Sequence, residues 1–125
     1  MASTVHIIER YSVQVLTKRT GQAPRPQIIV RLYTASGLMC GTAVFKDYGP
    51  NREADLPLGD PSDDSATAFY DIRFYEAFID ILRLETELFW KIHWIQLGAA
   101  RQVSDVSLDT KQEIIGEYFS RLENI

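Results

Sequence analysis

The stretch FWKIHWIQ, residues 89–96, contains both tryptophans of the chain, and its conformation decides the fold. If a helix ran through it, Trp90 and Trp94 would lie within about 40° of Glu76, on a charged and solvated stripe. If it is a strand, both tryptophans share one face with the isoleucine between them, and the lysine and histidine share the other. Its residue types are typical of strands. The sequence therefore predicts a strand over 88–97 with both indoles in the core. The alternative is an aromatic surface that stacks on nucleic acid bases.

The preceding segment, YEAFIDILRLE (residues 75–85), has apolar residues at helical spacing and charged residues on the opposite side. It is therefore predicted to be an amphipathic helix. Its apolar surface extends over more than one side, because Ala77, Ile81 and Leu84 add to the main apolar stripe. A single sheet cannot cover so wide a surface, so the sequence predicts a symmetric homodimer.

Alternating apolar and polar residues indicate four strands ahead of that helix. They span residues 5–19, 27–35, 38–46 and 68–74, with a loop at 20–26 and a tight turn at Ser36-Gly37. Residues 47–67 form one acidic stretch with three prolines and two glycines. Such a stretch predicts a long surface loop without regular structure.

The end of the chain returns to helical spacing. Thr110 and Glu113 fit a Ser/Thr-x-x-Glu capping box, which predicts a C-terminal helix that begins at Thr110. The sequence thus predicts a single α+β domain over residues 1–125. Its architecture is a twisted antiparallel sheet of about five strands, with an amphipathic helix after the fourth strand and a C-terminal helix.

Composition places the chain among globular proteins of one domain. It has 125 residues, 46% of them hydrophobic and 24% charged, and one cysteine, Cys40. No apolar run approaches the ~18–20 residues of a membrane helix, and the opening residues do not resemble a signal peptide. A single cysteine forms no internal disulfide, so we expect a reducing, cytoplasmic setting and no membrane partner.

The formal net charge of −4 is unevenly distributed. Residues 1–52 hold seven Lys or Arg against two acids, whereas residues 53–125 hold six against fifteen. Such asymmetry indicates either a basic binding face or two halves that attract each other, within one chain or across a dimer.

Known catalytic signatures are missing from the sequence. There is no phosphate-binding glycine loop, nucleophile elbow or zinc-type histidine pair, and His6 and His93 lie far apart in the chain. A general base at His93 beside Asp71 is one alternative, and a structural histidine is the other. Cys40 is expected to be a buried, inert thiol. We therefore expect a non-enzymatic protein with no catalytic residue, metal or cofactor.

One pattern points to a ligand. Most of the predicted strands place a lysine or an arginine on the side opposite the core, and the rings of Tyr33 and His93 are on that side as well. The candidate nucleic-acid face consists of Arg10, Arg31, Tyr33, Arg73, Lys91 and His93. On an open antiparallel sheet, bases stack on rings while cations follow the phosphates, so single-stranded nucleic acid is the predicted partner. The alternatives are a protein-interaction or assembly module without a nucleic acid ligand, and a small-molecule site between the sheet and residues 47–67.

A family resemblance leads in the same direction. The meander LTKR–QIIVRLYTASG–LMCGTAVF, followed by TAFYDIRFYEAFIDILRLE, resembles the Whirly and positive-cofactor-four class of single-stranded-DNA-binding folds. More narrowly, TAFYDIRF, ILRLE and SLDTKQEIIGE are similar to a small group of cyanobacterial proteins with that fold. The resemblance covers residues 5–97. It implies a dimer whose helix packs across the two-fold axis and whose sheet is exposed to nucleic acid.

Overall fold

The structure, a computed structural model, describes residues 2–20, 23–50 and 52–111. Eight strands and one α-helix follow one another within these ranges. They are β1 (Ala2–Ile7), β2 (Arg10–Thr20), β3 (Ala23–Tyr33), β4 (Met39–Lys46), β5 (Leu58–Asp60), β6 (Ser65–Asp71), α1 (Tyr75–Leu84), β7 (Leu88–Leu97) and β8 (Ala100–Thr110), with a 3-10 turn (Ile72–Phe74) before α1.

The stretch FWKIHWIQ is a strand, as predicted. Burial alternates along β7, and the side chains of Trp90 and Trp94 are 0% and 1% exposed. The helix predicted over 75–85 is also confirmed as α1, which buries Phe78, Ile79 and Leu82.

The strands form two sheets instead of the single antiparallel sheet that the sequence predicts. A three-stranded antiparallel sheet has the order β1-β7-β8, and a five-stranded sheet has the order β2-β3-β4-β6-β5. In the five-stranded sheet, β4 and β6 are parallel, and the other pairs are antiparallel. The described residues are therefore mostly strand, with one α-helix.

The chain passes from one sheet to the other at Ile8-Glu9. The Ile8 N–H donates to the carbonyl of Leu88 in the three-stranded sheet, at 2.9 Å. The next N–H, that of Glu9, donates to Tyr33 in the five-stranded sheet, at 2.8 Å. The single strand predicted over 5–19 is therefore two strands, because successive N–H groups of an extended chain point in opposite directions.

The core lies between the two sheets and under α1. On one side it contains the buried face of β7. On the other it contains residues of the five-stranded sheet that are fully buried: Val30, Leu32, Ala43 and Phe45. The phenyl ring of Phe45 packs edge-on against Phe78 of α1, with 5.2 Å between the ring centroids. The buried side of α1 is thus part of the same core.

Three loop and helix boundaries differ from the predictions. The loop predicted over 20–26 is mostly strand, since β2 reaches Thr20 and β3 begins at Ala23. Prolines are tolerated there because β4 pairs with β3 only from Gln27 onward. In the described ranges, the earlier part of β3 therefore has one neighbouring strand, β2. The loop predicted over 47–67 contains β5 and the start of β6.

The C-terminal end also differs. Thr110, at which the predicted helix begins, is the last residue of β8, and residues 107–109 belong to the same strand. The remainder of that predicted helix lies outside the described residues.

Candidate nucleic-acid interface

The β2–β3 hairpin brings three of the candidate residues together. Its register sets Arg10 opposite Tyr33, and Ser12 opposite Arg31. Residues directly opposite in an antiparallel pair share one face of the sheet. Leu32, between Arg31 and Tyr33 in the sequence, points to the opposite face of the sheet and is fully buried. Arg10, Arg31 and Tyr33 therefore lie on the outer face. We call the surface formed by these three residues with Ser12 and Gln14 the hairpin face.

Side-chain contacts order the hairpin face. The Arg31 guanidinium donates to the amide oxygen of Gln14 at 2.8 Å, across the two strands. The hydroxyl groups of Ser12 and Tyr33 lie 3.5 Å apart. The contact between Arg31 and Gln14 holds the cation in place without neutralising it, so its charge remains available to a ligand.

A depression of about 310 Å³ lies at one end of the hairpin face, lined by Arg10, Tyr11, Tyr33 and Gly37. Gly37 forms the turn that follows β3, with φ +88°, and a Cβ at this position would lie 3.7 Å from the Arg10 guanidinium. This positive φ favours glycine, and the turn places its backbone beside the cation. Sequence reasoning found the turn but not its position next to Arg10.

All the formal charges in the sequence of the β2–β3 hairpin are positive. Residues 10–33 contain five Lys or Arg and no Asp or Glu. The acids of the chain are concentrated after residue 52. A long hairpin with one sign of charge attracts a polyanion, and the acidic remainder orients the molecule with the hairpin toward it.

The other predicted residues lie elsewhere, so the six residues do not form one face. Lys91 and His93 are on the outer face of the three-stranded sheet, opposite Val5 and Ser3 of β1. Arg73 belongs to the 3-10 turn instead of a strand, and its guanidinium lies 5.0 Å from the ring centroid of Phe74. The prediction of a single face was wrong because strand parity does not reveal to which sheet a strand belongs.

His93 does not pair with Asp71. Its partners in register are Ser3 on β1 and Asp105 on β8, all within the three-stranded sheet. Asp71 ends β6 in the other sheet and caps the 3-10 turn, where its carboxylate accepts from the Arg73 N–H at 3.1 Å. The general-base arrangement considered for His93 and Asp71 is therefore absent.

Cys40 is fully buried, as predicted, and its Sγ lies 3.6 Å from the carbonyl oxygen of Leu32. Removal from water raises the pKa of the thiol to about 11. The thiol is therefore protonated at neutral pH and is a poor nucleophile. Within the ranges that the structure describes, no group of three or more His, Cys, Asp or Glu side chains is arranged to hold a metal ion.

Comparison of the chain with family models, with curated proteins and with solved structures finds no match to any of them. The resemblance to the Whirly and positive-cofactor-four class stays a prediction. In the described part of the chain, no helix has the length and apolar character needed to cross a membrane.

Proposed function

We propose that this protein is a non-enzymatic, cytoplasmic single-stranded nucleic-acid-binding protein that works as a homodimer and binds its ligand on the hairpin face. The observation that carries the proposal is the register of β2 with β3, which gathers Arg10, Arg31 and Tyr33 on one outer face. The same hairpin has five bases and no acid. The resemblance to the Whirly and positive-cofactor-four class supports the same ligand.

Each group of the hairpin face has a part in this binding. Arg10 and Arg31 contact phosphates. The hydrogen bond from Arg31 to Gln14 already orders the arginine side chain, so little further conformational entropy is lost when it binds a phosphate. The ring of Tyr33 lies beside the depression next to Arg10 and stacks on one base. A ring on a sheet surface reaches only bases that are not already paired and stacked, so a single strand binds better than a duplex.

Titration of a fluorescently labelled oligonucleotide, followed by anisotropy, tests the proposal. We expect the single strand to bind more tightly than the duplex of the same sequence. The logarithm of the affinity should fall with the logarithm of salt concentration, with a slope of about −1.4 to −3.5 for two to five phosphate contacts. Absence of binding at low salt, or equal affinity for duplex and single strand, would contradict the proposal.

A second function, a protein-interaction module without a nucleic acid ligand, is favoured by the edge of β2, with which no strand in the described part of the chain pairs on that side. This strand is at the edge of the five-stranded sheet. Val13 and Val15 are 41% and 68% exposed, on the face opposite Arg10. An exposed edge with apolar side chains can pair with a strand of another protein. In that case Val15→Lys would abolish partner binding, whereas Tyr33→Ala would leave it unchanged.

A further inference from the structure

The depression beside Arg10 lies where the hairpin face ends. Strand β2 begins at Arg10 and β3 ends at Tyr33, and these two residues are the last opposite pair of the hairpin on this side. Beyond them the chain forms a tight turn, in which the Gly37 N–H donates to the carbonyl of Thr34 at 3.0 Å. A nucleic acid strand that follows the hairpin face therefore reaches the limit of that face at the depression.

The charge of Arg10 is not neutralised within the described residues. No carboxylate among them lies within ion-pair distance of its guanidinium. Arg101 is different, because its guanidinium donates to the Asp64 carboxylate at 2.8 Å. Arg10 instead lies against the turn, where one of its terminal nitrogens is 3.7 Å from the position that a Cβ on Gly37 would occupy. An arginine without a carboxylate partner beside an open depression is suited to bind a phosphate.

Two tyrosine rings complete the wall of the depression. Tyr33 is on the outer face, whereas Tyr11 is opposite the buried Leu32 and belongs to the other face. Tyr11 still lines the depression and is 37% exposed, because no strand within the described ranges pairs with β2 on that side. The depression thus offers aromatic surface beside a cation. Its volume of about 310 Å³ is within the roughly 300–1,000 Å³ of small-ligand sites, which suits a ligand the size of one nucleotide.

The end of a strand fits this depression better than an interior nucleotide does. Residues 34–38 contain no charged side chain, and the acid next to Arg10 in the sequence is Glu9, which is exposed. Successive side chains of an extended chain point to opposite sides, so the Glu9 carboxylate does not share the outer face with Arg10. It repels phosphates that would continue over the edge of the sheet, whereas a strand that ends at Arg10 stays clear of it.

A terminal nucleotide also makes stronger contacts than an interior one. Its base has a stacking neighbour on one side only, so less stacking within the strand is lost when it moves onto a tyrosine ring. A phosphate monoester at the terminus carries about −1.5 to −2 charges at neutral pH, whereas a phosphodiester within the strand carries a single charge.

We propose that the depression is an end-binding site, which takes the terminal nucleotide of a single strand with its phosphate monoester on Arg10 and its base on Tyr33. This inference rests on the proposed function and adds the part of the ligand that the depression recognises. It also assigns different parts to the two arginines of the hairpin face. Arg10 binds the terminal phosphate, and Arg31, two residues or about 7 Å from Tyr33 along β3, binds the next one.

Four forms of one oligonucleotide with an internal fluorescent label test the end-binding site by anisotropy. They carry a 5′-phosphate, a 3′-phosphate or hydroxyl groups at both ends, and the fourth is the closed circle of the same sequence. We expect one of the two phosphorylated strands to bind about three- to tenfold more tightly than the hydroxyl-ended strand, and the position of its phosphate identifies the end that is bound. The circle should bind more weakly than the hydroxyl-ended strand. Equal affinity for all four forms would overturn the end-binding site.

Two arginine variants separate recognition of the end from general attraction of phosphates. Arg10→Gln should abolish the preference for the phosphorylated strand. Arg31→Gln is the matched control on the same face, and it should weaken the binding of every form while the preference remains. Circular dichroism checks that both variants fold. A preference that survives Arg10→Gln, or one that Arg31→Gln removes as completely, would overturn the assignment of the terminal phosphate to Arg10.

Single nucleotides separate this inference from the proposed function. A nucleoside 5′- or 3′-monophosphate at millimolar concentration should shift the amide resonance of Gly37 in nuclear magnetic resonance spectra. The unphosphorylated nucleoside should shift it less, and Arg10→Gln should abolish the shift. If the shift occurs but no oligonucleotide binds, the nucleotide site is correct and the strand ligand is wrong. If oligonucleotides bind through Tyr33 with no preference for an end and no mononucleotide shifts Gly37, the end-binding site alone is rejected.

Discussion

The indole of Trp90 packs directly against the backbone of Gly41, and this contact joins the two sheets. A Cβ built on Gly41 would collide with the Nε1, Cε2 and Cδ1 atoms of Trp90. The ring is fully buried, and its Nε1 has no hydrogen-bond partner among the described residues. The close approach of ring and backbone thus costs an unsatisfied N–H, which the burial of a large aromatic surface offsets.

This contact predicts the effect of adding one methyl group. We expect Gly41→Ala to lower the free energy of unfolding by about 1–3 kcal/mol, as overpacking in a core does. Chemical denaturation followed by circular dichroism measures the change. Ala54→Ser is the control, because it adds one atom at an exposed position and should have almost no effect. A Gly41→Ala variant as stable as the wild type would show that the two sheets can separate freely at this point.

The other tryptophan has a partner for its N–H. Trp94 Nε1 donates to the Thr4 hydroxyl of β1 at 2.9 Å, near the point where Arg101 covers the ring. Thr4→Val keeps the shape of the side chain and removes the acceptor, so we expect a loss of about 1–3 kcal/mol in unfolding free energy. Thr4→Ser keeps the acceptor and should lose less. Equal losses for both variants in urea denaturation would mean that the hydrogen bond contributes nothing.

The buried thiol predicts a stability that depends on alkaline pH. Burial raises the pKa of Cys40 from 9.0 to about 11, so the folded state favours the protonated thiol. Its contribution is complete below pH 9.0, the unfolded value, and is lost as the pH rises toward about 11. We expect the wild type to lose about 1–3 kcal/mol more than Cys40→Ala over this interval. Parallel pH profiles of the two proteins, measured by urea denaturation, would contradict the raised pKa.

Tryptophan emission is predicted to report folding and not ligand binding. Both indoles are buried in the core, so native emission should be blue-shifted and should shift to the red on unfolding. A single-stranded oligonucleotide at low salt should leave it nearly unchanged, because the hairpin face is on the outer side of the other sheet. Strong quenching of a red native spectrum would instead make FWKIHWIQ the surface on which bases stack.

Local periodicity, of two residues for β7 and of a helical turn for α1, was enough to predict these two elements, but it could not predict which strands pair. Val5, Ile7, Tyr11, Val13 and Val15 all have odd numbers, so the alternation continues across Ile8-Glu9 and conceals the passage between sheets. The parallel pairing of β4 with β6 likewise has no signal at a period of two residues. Both features depend on contacts between segments that are distant in the sequence.

Strand β8 was missed for a different reason. Ile92 pairs with Val106 and Trp94 with Val103, so Ser104 is an extra residue on this strand. The bulge reverses the parity, and apolar residues three positions apart reach the same side. A search for strict alternation therefore fails over residues 100–110.

The candidate site could be predicted in part from the alternation of side chains along the strands. Parity correctly placed Arg10, Arg31 and Tyr33 on an outer face, and it placed Lys91 and His93 on an outer face as well. It could not show that the two groups belong to different sheets. The structure therefore turns one predicted face into two separate surfaces, which can be tested against each other.

The contrast between those surfaces tests the central proposal most directly. The measurement is oligonucleotide affinity by fluorescence anisotropy for Arg31→Gln, Tyr33→Ala and the charge-matched control Lys91→Gln. Loss of the tyrosine ring should cost about 1–3 kcal/mol, a factor of roughly 5 to 150 in affinity. Arg31→Gln should weaken binding and reduce the steepness of the salt dependence by about 0.7. Lys91→Gln should change neither quantity. Equal weakening by Arg31→Gln and Lys91→Gln, with no effect of Tyr33→Ala, would contradict binding on the hairpin face.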